Sequence, residues 1–203
     1  MDPAIKNAII GGVATISAAI IAATITWILN DYLYVFRMPK WTRAWCRLLN
    51  SKSWWDREQA LKQLASPDCA SAVRKIMRLL KHERDCQVAV QACKTLTAIG
   101  DSRAVVALRR ALFHIYPYVR REAALSLGSL GDSSVAKDLI QIIERDNDKD
   151  AQYGAIVALG VLGTPSTLRV LERYLSREET DSYGNSLKKA AEDSLLRLRT
   201  MTT

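Results

Sequence analysis

A fourteen-residue string, Val119-Arg120-Arg121-Glu122-Ala123-Ala124-Leu125-Ser126-Leu127-Gly128-Ser129-Leu130-Gly131-Asp132, has a counterpart on either side at nearly fixed spacing. Thirty-one residues earlier, Val88, Ala92, Leu96 and Ile99-Gly100-Asp101 align with Val119, Ala123, Leu127 and Leu130-Gly131-Asp132. Thirty-two residues later, Ala151 to Thr164 restores the same Ala, Leu and Gly register. A unit this short cannot bury its apolar face alone, so successive units must stack into one continuous core. Weaker copies start at Arg57 and Lys188, as terminal units do when one side meets solvent.

Each copy is preceded by a stretch with apolar positions three and four apart: Val73, Ile76, Met77 and Leu80; Val105, Leu108 and Leu112; Leu139, Ile142 and Ile143; Leu168, Leu171 and Leu175. That spacing predicts a second amphipathic helix in every period. Alanines at 92, 123, 124 and 155 allow close packing. Gly100, Gly131 and Gly163 suit the left-handed residue that ends a helix, and Asp101-Ser102, Asp132-Ser133 and Thr164-Pro165-Ser166 offer caps for the next one. The expected fold is all-α, a short α-solenoid of about five helix pairs.

The string at Val119–Asp132 resembles the second helix of the HEAT family, in particular the HEAT-like repeats of the phycobilisome-lyase type, whose pattern reads V-R-x-x-A-A-x-A-L-G-x-L-G-D. The resemblance covers roughly residues 40–199. It implies a repeat solenoid, but little about activity, since such repeats occur in bilin-attachment enzymes, assembly factors, adaptors and DNA glycosylases. The arginine of the pattern stands at Arg120 and at Arg57, with Ala89, Gln152 and Lys188 elsewhere.

Before the repeats, Ala8 to Leu29 carries no charge. As a helix it would reach about 33 Å, enough to cross a hydrocarbon layer of about 30 Å. The sequence therefore predicts a transmembrane anchor and aromatic collar over 1–36 and a repeat domain over 37–203. Gly11, Thr15, Ala19 and Ala23 form a small-residue stripe suited to helix packing in the membrane. Trp27, Tyr32, Tyr34, Arg37, Lys40, Trp41, Arg43, Trp45 and Arg47 are the expected membrane-interface residues, some by their aromatic rings and some by charge toward anionic lipid. Trp41, Trp45 and Leu48 or Leu49 share one face of the helix expected after Pro39. The basic flank after the span places the N-terminus outside and the repeats in the cytoplasm. Four cysteines without a CxxC pair fit a reducing compartment.

No catalytic, metal or cofactor residues emerge. The two histidines, His82 and His114, stand in no site motif, and Asp146-Asn147-Asp148-Lys149-Asp150 lacks the glycine and distal glutamate of a calcium loop. Charge is uneven: residues 30–131 hold 18 Lys/Arg against 8 Asp/Glu, and residues 132–203 hold 10 against 12. The function expected is a membrane-anchored HEAT-repeat scaffold or adaptor binding a protein partner, as an accessory or assembly subunit or a homo-oligomer. Arg57, Lys94, Arg120, Arg121, Gln152 and Lys188 form the expected contact row, and charge reversal at Arg120 and Arg121 is expected to weaken capture without unfolding. The resemblance leaves a bilin lyase-like or chaperone-lyase role as the alternative. A membrane tether argues against nucleic acid as partner.

Overall fold

The computed structural model describes residues 40–163 and 167–201. Ten α-helices follow one another there in five pairs: α1 Lys40–Leu48, α2 Trp54–Gln63, α3 Val73–His82, α4 Cys86–Ile99, α5 Ala104–Ala111, α6 Pro117–Leu130, α7 Ala136–Arg145, α8 Lys149–Leu162, α9 Leu168–Glu172 and α10 Leu187–Met201. No β-strand forms among the described residues. The second helices pack side by side in chain order, α2 on α4, α4 on α6, α6 on α8 and α8 on α10. From the second pair onward, each first helix packs on its own second helix. The all-α solenoid expected from the period is what forms, within the compact unit Ala44–Thr203.

Local chemistry sets the boundaries. Asp85 and Asp148 cap α4 and α8, accepting from Gln87 N at 2.9 Å and Asp150 N at 2.9 Å. Ser53 caps α2, and Pro117 opens α6 where its missing N–H is not needed. Gly100, Gly131 and Gly163 end the three central second helices at φ of 72°, 74° and 67°, conformations that cost a side chain and cost glycine little. Asp132 accepts from Ser134 N to start the turn before α7. Thr164 to Ser166 lie outside the described residues.

A first helix buries a single stripe: Val73, Ile76 and Leu80 in α3, Leu139, Ile142 and Ile143 in α7. The second helices are enclosed on more sides, which is why alanine occupies Ala92, Ala123, Ala124 and Ala155, all fully buried. A side-chain ladder crosses this row. Thr95 Oγ1 donates to the Leu61 carbonyl at 2.9 Å, Ser126 Oγ to the Cys93 carbonyl at 3.4 Å, and Ser194 Oγ to the Ile156 carbonyl at 3.2 Å. In α8 the corresponding residue is Ala158, pressed against Gly128, where an added Cβ would stand 2.7 Å from the Ala158 Cα. α6 and α8 therefore approach at backbone contact distance.

The structure corrects two readings. In the last pair the buried stripe is Thr167, Val170, Leu171 and Tyr174, not Leu168, Leu171 and Leu175, because the Tyr174 hydroxyl donates to the Ile143 carbonyl at 2.7 Å and sets the rotation of α9. Along α1 and the residue after it the buried positions are Thr42, Cys46 and Leu49, while Trp41 is 48% and Leu48 37% exposed. The single-pass membrane location, with the repeats cytoplasmic, is corrected too: no helix among the described residues is long and apolar enough to cross a membrane. The longest, α10, has 15 residues, about 22 Å of helix against about 30 Å of hydrocarbon. The stretch Ala8–Leu29 with Gly11, Thr15, Ala19, Ala23 and Trp27, and Tyr32, Tyr34 and Arg37 beyond it, lie outside the described residues.

Candidate functional site

Arg57 and Arg120 occupy the same place in alternate repeats and make the same bonds. Arg57 grips Glu83 through Nε and Nη2, both at 2.8 Å, while Nη1 donates to the carbonyls of Ser51 at 3.0 Å and Lys52 at 3.1 Å. Arg120 grips Asp146 at 2.6 and 2.8 Å, while Nη1 donates to the carbonyls of His114 at 2.9 Å and Ile115 at 3.2 Å. Each guanidinium thereby ties the turn before its own helix to the corresponding turn of the next pair. Planar, two-pronged pairing of this kind is what arginine does and lysine cannot. The Arg57 and Arg120 side chains are only 15% and 16% exposed. The hydrogen bond to Glu83 raises the Arg57 pKa further above its ordinary value.

At the intervening junction the arginine is replaced by Ala89, fully buried, and the acid by His114. His114 Nδ1 accepts from Tyr116 N at 3.2 Å, as Glu83 accepts from Asp85 N and Asp146 from Asp148 N, both at 3.0 Å. Burial pulls the His114 pKa below its ordinary value against the opposing hydrogen bond with the Glu83 backbone, and the Arg120 charge adds to the lowering. In α8 the place belongs to Gln152, whose Nε2 keeps one bond of the set, to the Asp146 carbonyl at 2.6 Å. The acidic run 146–150 is consequently a structural turn in which Asp146 takes Arg120 and Asp148 caps α8.

Arg121 organises a second cluster. Its Nη1 lies 3.0 Å from Asp181 and 3.5 Å from Asp150, and its guanidinium carbon sits 4.9 and 4.6 Å from the ring centroids of Tyr153 and Tyr183. Tyr118 meets Tyr183 edge to face at 5.8 Å. Asp181 belongs to the turn before α10, where its carboxylate also accepts from Tyr183 N, Asn185 N and Asn185 Nδ2. Burial opposes that charge, but the Asn185 and Tyr183 hydrogen bonds and Arg121 outweigh it and hold the carboxylate below its usual range. Ser182 donates through its hydroxyl to Asp150 at 2.8 Å. The result is a fixed patch in which Tyr118 and Tyr183 remain 40% and 67% exposed.

Of the six residues expected as a contact row, Arg57, Arg120, Arg121 and Gln152 are therefore engaged inside the chain. Lys94 is exposed on α4, and Lys188 pairs with Glu178 at 2.8 Å on the surface. Sequence reasoning missed Tyr118, Tyr153 and Tyr183 as a group, because Tyr183 reaches the others only through the turn Asp181-Ser182-Tyr183-Gly184-Asn185. That Asx- and Gly-containing signature was available in the sequence. All four cysteine thiols are pushed up by burial, Cys93 furthest, which disfavours the nucleophilic thiolate. Among the described residues, no group of three or more His, Cys, Asp or Glu is placed to hold a metal ion.

Comparisons agree with this architecture. Residues 114–195 match the family model of HEAT repeats. The chain is similar in fold to the crystal structure of an engineered protein from the Northeast Structural Genomics Consortium, at 20% identity and a TM-score of 0.58, over 78% of this chain and 79% of that one. A search of curated proteins finds no match.

Proposed function

We propose that this protein is an interaction scaffold, acting as an adaptor or assembly subunit, and that it takes a protein partner on the outer face of its second-helix row. The observation that carries this reading is the Tyr118, Tyr153, Tyr183 and Arg121 patch. Tyrosine and arginine are the residue types that dominate binding energy at protein interfaces. Here their rotamers are already held by ion pairs and ring contacts, so little side-chain entropy is left to lose on binding. Exposed residues continue the row on either side, Lys94 on α4 and Lys189 on α10. The contact row is thereby moved outward from the buried arginines to the side chains they position.

A photo-reactive phenylalanine analogue at position 118 or 183 of the full chain, expressed in its native cell, tests the proposal. Discrete protein adducts are expected from both positions and not from the exposed Asp68. Equal labelling from all three, or none from 118 and 183, refutes it.

A further inference from the structure

We infer a second binding surface, independent of the tyrosine patch: the groove between α3 and α5 accepts an acidic, amphipathic segment of a protein partner. The groove encloses about 300 Å³, with Met77, Leu80, Val106 and Ala111 along its floor and Lys81 and Arg110 on its rim. That volume lies at the small end of the range for ligand pockets, about 300–1,000 Å³, and suits a few apolar anchors of a peptide. Val106 is 55% exposed, and the apolar surface does not stop there. His114 lines both this groove and the adjoining open cleft that Phe113 also lines, and Phe113 and Ile115 are 59% and 78% exposed. Large apolar side chains exposed this far in one neighbourhood mark an interaction site more often than chance.

Charge selects the occupant. Lys75 and Lys81 on α3 and Arg110 on α5 carry the charge, and neither helix contains an acidic residue. The acids nearby have other partners: Glu83 is held by Arg57, and Asp138 faces Arg109 at 2.7 Å. A basic rim around an apolar floor complements a segment with leucine-like anchors at helical spacing flanked by carboxylates. Nucleic acid would use the rim and leave the floor unmatched, since phosphate contacts need no apolar pocket.

The test uses the full-length chain and a fluorescein-labelled synthetic peptide of about sixteen residues, with leucines at i, i+3, i+4 and i+7 and glutamates on the flanks. Controls replace Leu by Ser or Glu by Lys, and a short DNA duplex is titrated in parallel. By fluorescence anisotropy the acidic Leu peptide should bind at least about tenfold more tightly than either peptide control. Val106→Glu, and separately Lys81→Glu with Arg110→Glu, should each weaken it by about tenfold or more, whereas Lys137→Glu on the exposed part of α7 should not. Far-UV circular dichroism confirms that each variant is folded, and the two groove variants fail independently of one another. Indifference of the peptide to both groove variants overturns the inference. So does preferential binding of the duplex with the same sensitivity to the rim, which would make the surface a nucleic-acid site.

Discussion

Between the first and second helix pairs, and again between the third and fourth, an arginine fork ties two turns together; between the second and third, the same two places hold Ala89 and His114. Both partners of the ion pair are absent at once, as physics requires, because either alone would leave a part-buried charge unmatched. What His114 retains is the acid's other task, accepting the N–H two residues on, so that the chain still turns into α6 at Tyr116. The charge that joins repeats is therefore separable from the geometry that starts a helix. The central junction relies on α4–α6 packing, the Ser126 hydrogen bond to the Cys93 carbonyl and the Arg103 hydrogen bond to the Ala70 carbonyl, and its neighbours add an ionic staple to the packing of their own second helices.

The most damaging change expected is Arg120→Glu with Arg121→Glu, which the sequence suggests would spare the fold but which the largely buried ion pairs of both arginines turn into a test of folding. It would set two new carboxylates against Asp146, Asp150 and Asp181, whose side chains are 10%, 6% and 0% exposed. Removing one partner of a buried pair costs about 3–5 kcal/mol, so the double reversal should consume much of a total stability of about 5–15 kcal/mol. Urea unfolding should show a collapse of the midpoint. An unchanged midpoint would mean that the forks do not hold the repeats together. Next comes Asp146→Ala, expected to cost about 3 kcal/mol, against about 1 kcal/mol for His114→Ala at the unstapled junction. Equal losses at the two sites would erase the distinction between the junctions.

The repeat period made the solenoid legible, since its Ala, Leu and Gly register carries both the buried face and the helix ends. The three glycine caps fell where the sequence put them. The ion-pair role of Arg57 and Arg120 was not legible, because each acid lies 26 residues downstream in a turn whose sequence differs, Glu83-Arg84-Asp85 in one and Asp146-Asn147-Asp148 in the other. An arginine that recurs on a helix reads equally well as a surface contact or as a tether. The tyrosine patch was hidden for a related reason: Tyr118, Tyr153 and Tyr183 come from two second helices and a turn, and only Arg121 brings them to one place. The rotation of α9 escaped because Thr167 and Tyr174 are buried polar residues, and an apolar periodicity cannot find them.

A smaller effect probes a contact that the first and central junctions share. Thr95→Val removes the 2.9 Å bond to the Leu61 carbonyl at the stapled junction, and Ser126→Ala removes the 3.4 Å bond to the Cys93 carbonyl at the unstapled one. Each should cost about 1 kcal/mol, within the usual net value of a buried hydrogen bond of about 0.5–1.5 kcal/mol. If Ser126→Ala costs more despite its longer bond, the central junction depends on the ladder in a way that its neighbours do not.

The smallest difference expected is one of pH. A neutral imidazole turns the chain at the central junction, and it accepts a backbone proton at Nδ1, which the imidazolium cannot do. Since burial and the Arg120 charge hold the folded pKa below the ordinary 6.5, the unfolded chain takes up this proton first as pH falls. Stability contributed by His114 is therefore complete above about 6.5 and is lost as pH falls from there through the depressed folded value. Neither ionic staple contains a histidine. His114→Asn supplies an amide oxygen for the Tyr116 N–H without a titrating ring, so the gap between the urea midpoints of the native chain and the variant should open steadily on mild acidification. A gap that is constant with pH would show that the central junction is no more acid-sensitive than those beside it.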